Sequence, residues 1–126
     1  MDLIDAAIQG SITAVRDALE KGADVNIKSN DSGRTALMHA SFNGHTEIAK
    51  LLIEKGSDVN AKDEFSGMTA LIWASSYGHL ETVKLLIEKG AGVHTRTHSG
   101  KTALTFASDN GHMEIVKILK PYTGQS

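Results

Sequence analysis

A chain of 126 residues is long enough for one domain with its own hydrophobic core. Apolar residues make up 40% of it and charged residues 22%, as in ordinary soluble proteins, and cysteine is absent, which excludes disulfides and thiol chemistry. The formal net charge is −2, with the basic residues scattered among the acids, so neither nucleic acid nor an anionic membrane is an expected partner.

Four copies of one pattern follow each other along the chain. The first is degenerate and is clearest at 20–26 (EKGADVN), while TALMHA at 35–40, TALIWA at 69–74 and TALTFA at 102–107 open the others. These openings lie 34 and 33 residues apart, which is typical of a solenoid repeat. We expect a single domain over 1–121, with repeats at about 1–31, 32–65, 66–98 and 99–121, and a frayed tail at 122–126.

Each copy predicts a helix, a turn, a second helix and an extended loop. A threonine suited to the N-cap position opens the three clear copies: Thr35, Thr69 and Thr102. A glycine that can adopt the left-handed conformation ends each first helix: Gly44, Gly78 and Gly111. The loops at 26–33 and 60–67 are one residue longer than the loop at 94–100. Pro121, the only proline, is expected to stop the last helix.

The Gly-x-Thr-Ala-Leu, Gly-His and Gly-Ala-Asp-Val-Asn segments resemble the ankyrin repeat over nearly the whole chain. The resemblance implies an all-α solenoid of stacked helix-turn-helix units with hairpin-like loops. The chain departs from the motif where its histidine is replaced by Met38, Ile72 and Thr105, which puts in doubt the side-chain hydrogen bonds that link neighbouring turns. The Thr-Ala-Leu-x-x-Ala-Ser variant resembles bacterial ankyrin proteins.

Polar residues replace apolar ones at opposite ends of the array. Asp17 stands where later copies have Leu51, Leu85 and Ile118, and Lys120 stands where earlier copies have Leu19, Ile53 and Ile87. Terminal repeats need such polar outer faces, so we expect a self-contained, monomeric four-repeat unit; drift in the end copies is the alternative. The leucines expected to hold the stack together are Leu37, Leu52, Leu71 and Leu86.

Catalytic and metal-binding motifs do not emerge. The chain has no phosphate-binding glycine loop, no Gly-x-Ser-x-Gly and no His-Glu-x-x-His. His45, His79 and His112 recur at repeat spacing and are expected to fix turns, while His94 and His98 share one loop without a third ligand. We therefore expect no enzyme activity, no metal site and no cofactor.

The resemblance implies a partner-binding surface on the concave face, at the loop tips and the exposed ends of the first helices. By position, the expected contact residues are Arg34, Phe42, Asn43, Phe65, Met68, Ser76, Tyr77, His98, Lys101, Asp109 and Asn110. Phe42, Phe65, Met68 and Tyr77 are large and apolar, as binding hot spots often are. Alternatively, Phe42 and Tyr77 pack locally, while Phe65 and Met68 cover the loop insertion. Arg34 and Lys101 flank this group and suit an acidic group of the partner, and Trp73 is expected to pack between repeats.

The leading functional prediction is a non-catalytic module that binds a partner protein or peptide. The alternatives are a regulatory or inhibitory subunit of an enzyme, and a designed or structural scaffold without a natural partner. Asn26 and Asn60 match the ankyrin position that asparagine hydroxylases modify in animal cells, but a structural role in the turn explains them equally. The acidic N-terminus is unlike a signal peptide, so the cytoplasm is the default location, unless a leader for secretion or the periplasm was removed.

Overall fold

Eight helices form the part of the chain that the computed structural model describes, residues 1–123. They are α1 (Leu3–Gln9), α2 (Ile12–Glu20), α3 (Ala36–Phe42), α4 (Thr46–Glu54), α5 (Ala70–Ser76), α6 (Leu80–Glu88), α7 (Ala103–Asp109) and α8 (Met113–Thr123). Within these residues no strand occurs. The predicted all-α solenoid of helix pairs is confirmed.

The predicted helix caps are present. The Oγ1 atoms of Thr35, Thr69 and Thr102 each accept a hydrogen bond from the backbone N–H three residues on, at 3.3 Å. Each of these bonds satisfies one of the N–H groups that the first turn of a helix leaves without a partner. The glycine after each first helix has a positive φ, 72° at Gly44 and 79° at Gly78, so the chain reverses direction there.

The helices form two layers. The first helix of each pair packs against the first helices of its neighbours, α1 on α3, α3 on α5 and α5 on α7, more extensively than the second helices pack on each other. Fully buried alanines at equivalent places in the first helices, Ala6, Ala40, Ala74 and Ala107, allow this close approach, whereas Leu51 and Leu85 lie between the second helices. We call the exposed side of the first helices together with the loops the inner surface.

The core follows the repeat. Leu37, Leu52, Leu71 and Leu86 are all fully buried, as predicted. Asp17 and Lys120 are exposed to solvent. Thr105 is half-buried, and its Oγ1 accepts a hydrogen bond from the N–H of Thr102 at 3.2 Å, which completes a capping box on α7.

The prediction that Pro121 stops the last helix is wrong, because α8 continues through it to Thr123. A proline inside a helix supplies no backbone N–H, but the φ of about −65° that its ring fixes is compatible with a helical turn. Tyr122 and Thr123 are thus helical and do not belong to a frayed tail. The rest of the predicted tail, 124–126, lies outside the described residues.

Side chains link successive turns, although the motif histidine is missing. Nε2 of His79 donates to the carbonyl of Phe42 at 2.8 Å, and Nε2 of His112 donates to that of Ser76 at 3.1 Å. His79 and His112 thus bind the turn of the preceding repeat. The bonds that the sequence put in doubt are supplied from another position.

Two asparagines join the loops in the same way. The Oδ1 atom of Asn60 accepts from the N–H of Gly92 at 2.8 Å, and its Nδ2 donates to the carbonyl of Gly90 at 3.2 Å. Asn26 makes the equivalent pair of bonds to Asp58 and Gly56. The structural role of these asparagines therefore extends beyond their own turns, to the next repeat.

Candidate partner-binding surface

An aromatic cluster crosses the interface between the second and third repeats. The ring centroids of Phe42 and Tyr77 are 4.5 Å apart, and those of Phe42 and Trp73 are 5.3 Å apart with nearly perpendicular rings. Trp73 is buried, so its predicted packing role between repeats is confirmed. Tyr77 packs in the cluster but leaves 50% of its surface exposed, and Phe42 is half-buried. Phe42 and Tyr77 therefore pack locally, and part of their aromatic surface remains exposed to solvent.

Arg34 stacks on this cluster. Its guanidinium lies 4.6 Å from the ring centroid of Trp73, and its Nε is 3.9 Å from Oδ2 of Asp63, too far for a hydrogen bond. The Asp63 carboxylate is buried and accepts from the N–H and hydroxyl of Ser66 and from the N–H of Gly67. Ring and carboxylate hold the cation in place, while its side chain stays partly exposed.

His39 lies beside this cation on α3. Its partial burial, together with the positive charge of Arg34, holds the pKa of the His39 imidazole below its ordinary value, and the carboxylate of Asp31 opposes this shift. Neutral His39 is therefore favoured, which keeps a second cation away from Arg34.

Two hollows on the inner surface collect eight of the eleven predicted contact residues. A hollow of about 640 Å³ is lined by Ser76, Tyr77, Lys101, Phe106, Asp109, Asn110 and His112. A second, of about 230 Å³, is lined by Phe65, Ser66, Met68, Thr97, His98, Ser99 and Phe106. Phe106 borders both hollows. In the sequence, Phe106 aligns with His39 and Trp73 on the first helices, but it was not among the predicted contact residues.

The side chains in these hollows differ in what they offer a partner. Phe65 is 74% exposed, whereas Met68 is only 7% exposed and packs in the core. The prediction that Met68 is an exposed contact residue is therefore wrong, because its loop turns inward where its carbonyl accepts from the N–H of Asp63 at 3.0 Å. Lys101 lies over the ring of Phe106, with Nζ 5.7 Å from the centroid.

Three predicted polar contact residues are already engaged by the fold. Nδ1 of His98 donates to the carbonyl of Phe65 at 3.2 Å. Nδ2 of Asn110 donates to the carbonyl of Ser76 at 2.9 Å. Nδ2 of Asn43 donates to the carbonyl of His39 at 3.1 Å within its own repeat. Asp109 is exposed at the end of α7. The first two bonds join neighbouring repeats, so they shape the surface.

A third concavity lies at the N-terminal end of the inner surface and encloses about 530 Å³. Its walls are α1 and the first loop, and they include Asp5, Ile8, Ile27, Asp31 and Arg34. Of these residues, only Arg34 is among the predicted contact residues. Only the packing of the first loop against α1 brings these residues together.

Two other kinds of feature are absent from residues 1–123. That part of the chain contains no group of three histidine, cysteine or acidic side chains arranged to hold a metal ion. None of its helices combines the length and apolar character that crossing a membrane requires.

A stack of helix pairs joined by loop hydrogen bonds defines a repeat protein, and comparison with known families shows which one. The family model described as ankyrin repeats (3 copies) matches residues 58–125, and the one described as ankyrin repeats (many copies) matches residues 3–53. The chain belongs to the ankyrin repeat family. Ankyrin repeats are protein–protein interaction modules, and proteins built from them are generally not catalysts.

A similar segment occurs in a plant protein. The probable E3 ubiquitin-protein ligase XBOS33 of Oryza sativa subsp. japonica is 50% identical to this chain over 46 residues, which are 36% of the chain and 9% of the ligase. The match thus spans about a tenth of the relative's length. As a plant protein, it gives no support to the bacterial resemblance.

Proposed function

We propose that the chain binds a partner protein or peptide on its inner surface, at the two hollows that meet at Phe106. The observation that carries this proposal is the exposure of Tyr77 and Phe65, which line one hollow each. Aromatic side chains supply large contact area at low entropic cost and are enriched among hot spots. The rice relative supports no proposal about ubiquitin transfer, because the match covers so little of it.

The charges beside these rings favour an acidic group on the partner. Lys101 lies over the ring of Phe106, which holds the cation in place without neutralising it, whereas Arg34, over Trp73, is also 3.9 Å from the buried Asp63 carboxylate. A carboxylate that approaches Phe106 therefore meets one positioned cation, Lys101. An apolar side chain of the same partner would then pack against Tyr77.

Affinity capture with paired variants tests this proposal. The Phe65→Ser, Tyr77→Ser double variant removes both exposed rings, and the Met113→Ser, Tyr122→Ser variant removes comparably exposed side chains from α8, outside the inner surface. We expect the first variant to lose the proteins that the wild type captures from extract of the native cell, and the second to retain them. Thermal melting of both variants checks that the fold is intact. Equal capture by both variants would contradict the proposal.

A further inference from the structure

The groove at the N-terminal end of the inner surface has apolar walls that nothing in residues 1–123 covers. Ile8 on α1 is 44% exposed and Ile27 on the first loop is 47% exposed, and both line the groove. Its volume of about 530 Å³ falls in the range of about 300–1,000 Å³ that is typical of ligand sites. A groove of this size has room for side chains of a bound segment.

The groove is also acidic. Four carboxylates line it, those of Asp2, Asp5, Asp24 and Asp31, against the two cations Lys28 and Arg34. Asp2 and Asp24 already accept hydrogen bonds from backbone N–H groups of α1 and the first loop, and Arg34 is held by Trp73 and Asp63.

Asp5 and Asp31 add two further carboxylates to the groove. Both are exposed. Hydrogen bonds from Ser29 and Ser32 lower the pKa of the Asp31 carboxyl, so it is ionised at neutral pH.

We propose that this groove binds a basic segment of a partner protein, with an apolar side chain packed on Ile8 and Ile27 and an adjacent lysine or arginine paired with Asp5 and Asp31. The inference rests on the proposed function, since it assigns the partner's chemistry at one end of the same inner surface. Charge complementarity selects this occupant, because an acidic segment would bring its carboxylates against those of the groove. The partner therefore carries basic and apolar residues at this end and an acidic group nearer to Lys101.

Fluorescence anisotropy with three labelled hexapeptides tests the inference on the full chain. One peptide alternates arginine and leucine, one alternates glutamate and leucine, and one alternates arginine and serine. We expect saturable binding of the arginine–leucine peptide that weakens as salt is added, weaker binding of the arginine–serine peptide, and no binding of the glutamate–leucine peptide. Equal affinity for the glutamate–leucine peptide would overturn the proposal.

Matched variants locate the peptide on the molecule. Asp5→Asn with Asp31→Asn should weaken binding of the arginine–leucine peptide about three- to tenfold, the range for two exposed ion pairs. Glu47→Gln with Glu54→Gln changes the net charge equally on α4, where both residues are exposed, and should leave the affinity unchanged. Ile8→Ser should also weaken binding. If the two double variants bind alike, the groove is not the site.

The same peptide separates this inference from the proposed function. The Phe65→Ser, Tyr77→Ser variant should bind it with wild-type affinity, because neither ring lines the groove. In one outcome, the Phe65→Ser, Tyr77→Ser variant loses its captured partners and the arginine–leucine peptide fails to bind the wild type. The inference then falls and the proposed function stands. In the opposite outcome, the peptide binds, only the groove variants weaken its binding, and the variant without both rings still captures partner proteins. The inference then stands and the hollows are not the contact.

Discussion

Asn60 shows how one side chain in this fold serves two repeats. Its backbone N–H is bound by Asp58 in its own turn, at 2.9 Å, while its amide bonds both a carbonyl and an N–H of the next loop. Asparagine suits the position because a primary amide offers a donor and an acceptor on one short side chain. Asn26 makes the same contacts one repeat earlier, whereas histidine occupies the third site.

Replacing Asn60 by alanine should lower the free energy of unfolding by about 1–2 kcal/mol, since two hydrogen bonds between loops are lost. Urea denaturation measures this change. Asn30→Ala is the control, because Asn30 is an exposed loop asparagine whose side chain makes no hydrogen bond within residues 1–123. Equal midpoints for the two variants would show that the loop bonds contribute nothing.

His39 should make stability depend on pH. Burial and Arg34 lower the pKa of its imidazole in the folded state, so the unfolded chain binds the proton more readily. The stability is therefore fully present above the ordinary histidine pKa of about 6.5 and is lost as pH falls from there through the folded pKa. Urea midpoints measured at pH 7.5 and 5 should differ less for His39→Gln than for the wild type. An unchanged difference would contradict the assignment to His39.

In the first three helix–turn–helix elements, a glycine serves both conformation and packing. The positive φ of Gly44 reverses the chain after α3. A β-carbon on this residue would lie only 2.5 Å from Nδ1 of the His79 ring. The ring can then reach the carbonyl of Phe42. The Gly-His pairs recur because the glycine of one element leaves room for the histidine of the next.

Comparing Gly44→Ala with Gly111→Ala separates these two roles. Gly111 has a similar φ of 77°, but a β-carbon there would meet nothing within 4 Å. Gly111→Ala should cost about 1–2 kcal/mol for the left-handed backbone alone. Gly44→Ala should cost about 1–3 kcal/mol more, because the His79 ring must move. Chemical denaturation of both variants measures the difference, and equal losses would rule out the packing role.

At the scale of the whole molecule, stability depends on contacts between neighbouring repeats. Leu71, in the third repeat, is fully buried, while Leu104, at the same place in the fourth, is half-buried. The residue type is the same and only its neighbours differ. An array of this kind is stabilised approximately by the sum of its repeats and its interfaces.

Leu71→Ala should therefore cost about 2–5 kcal/mol, the range for a buried leucine. Leu104→Ala serves as the matched comparison and should cost less, because part of its side chain already contacts water. Calorimetry or urea denaturation measures the loss of unfolding free energy in both variants. The slope of that free energy against urea concentration shows whether unfolding stays cooperative. A larger loss at Leu104 would contradict this picture of the stack.

The fold could be predicted from the sequence because its determinants are local or periodic. Thr35 acts within its own turn, and the spacing of the TAL segments places Leu37 and Leu71 on the same face of successive units. Pro121 misled because the φ that proline fixes is also a helical one, so a proline does not by itself end a helix.

The candidate site depended more on tertiary structure. Tertiary contacts settle whether Met68 turns inward, whether Phe106 borders two hollows and whether Asp5 meets the first loop. Residue type and repeat position pointed to eight of the side chains that line the two hollows. Only the packing of loops against helices decided which of them remain exposed, because burial is a property of the neighbours as well as of the residue.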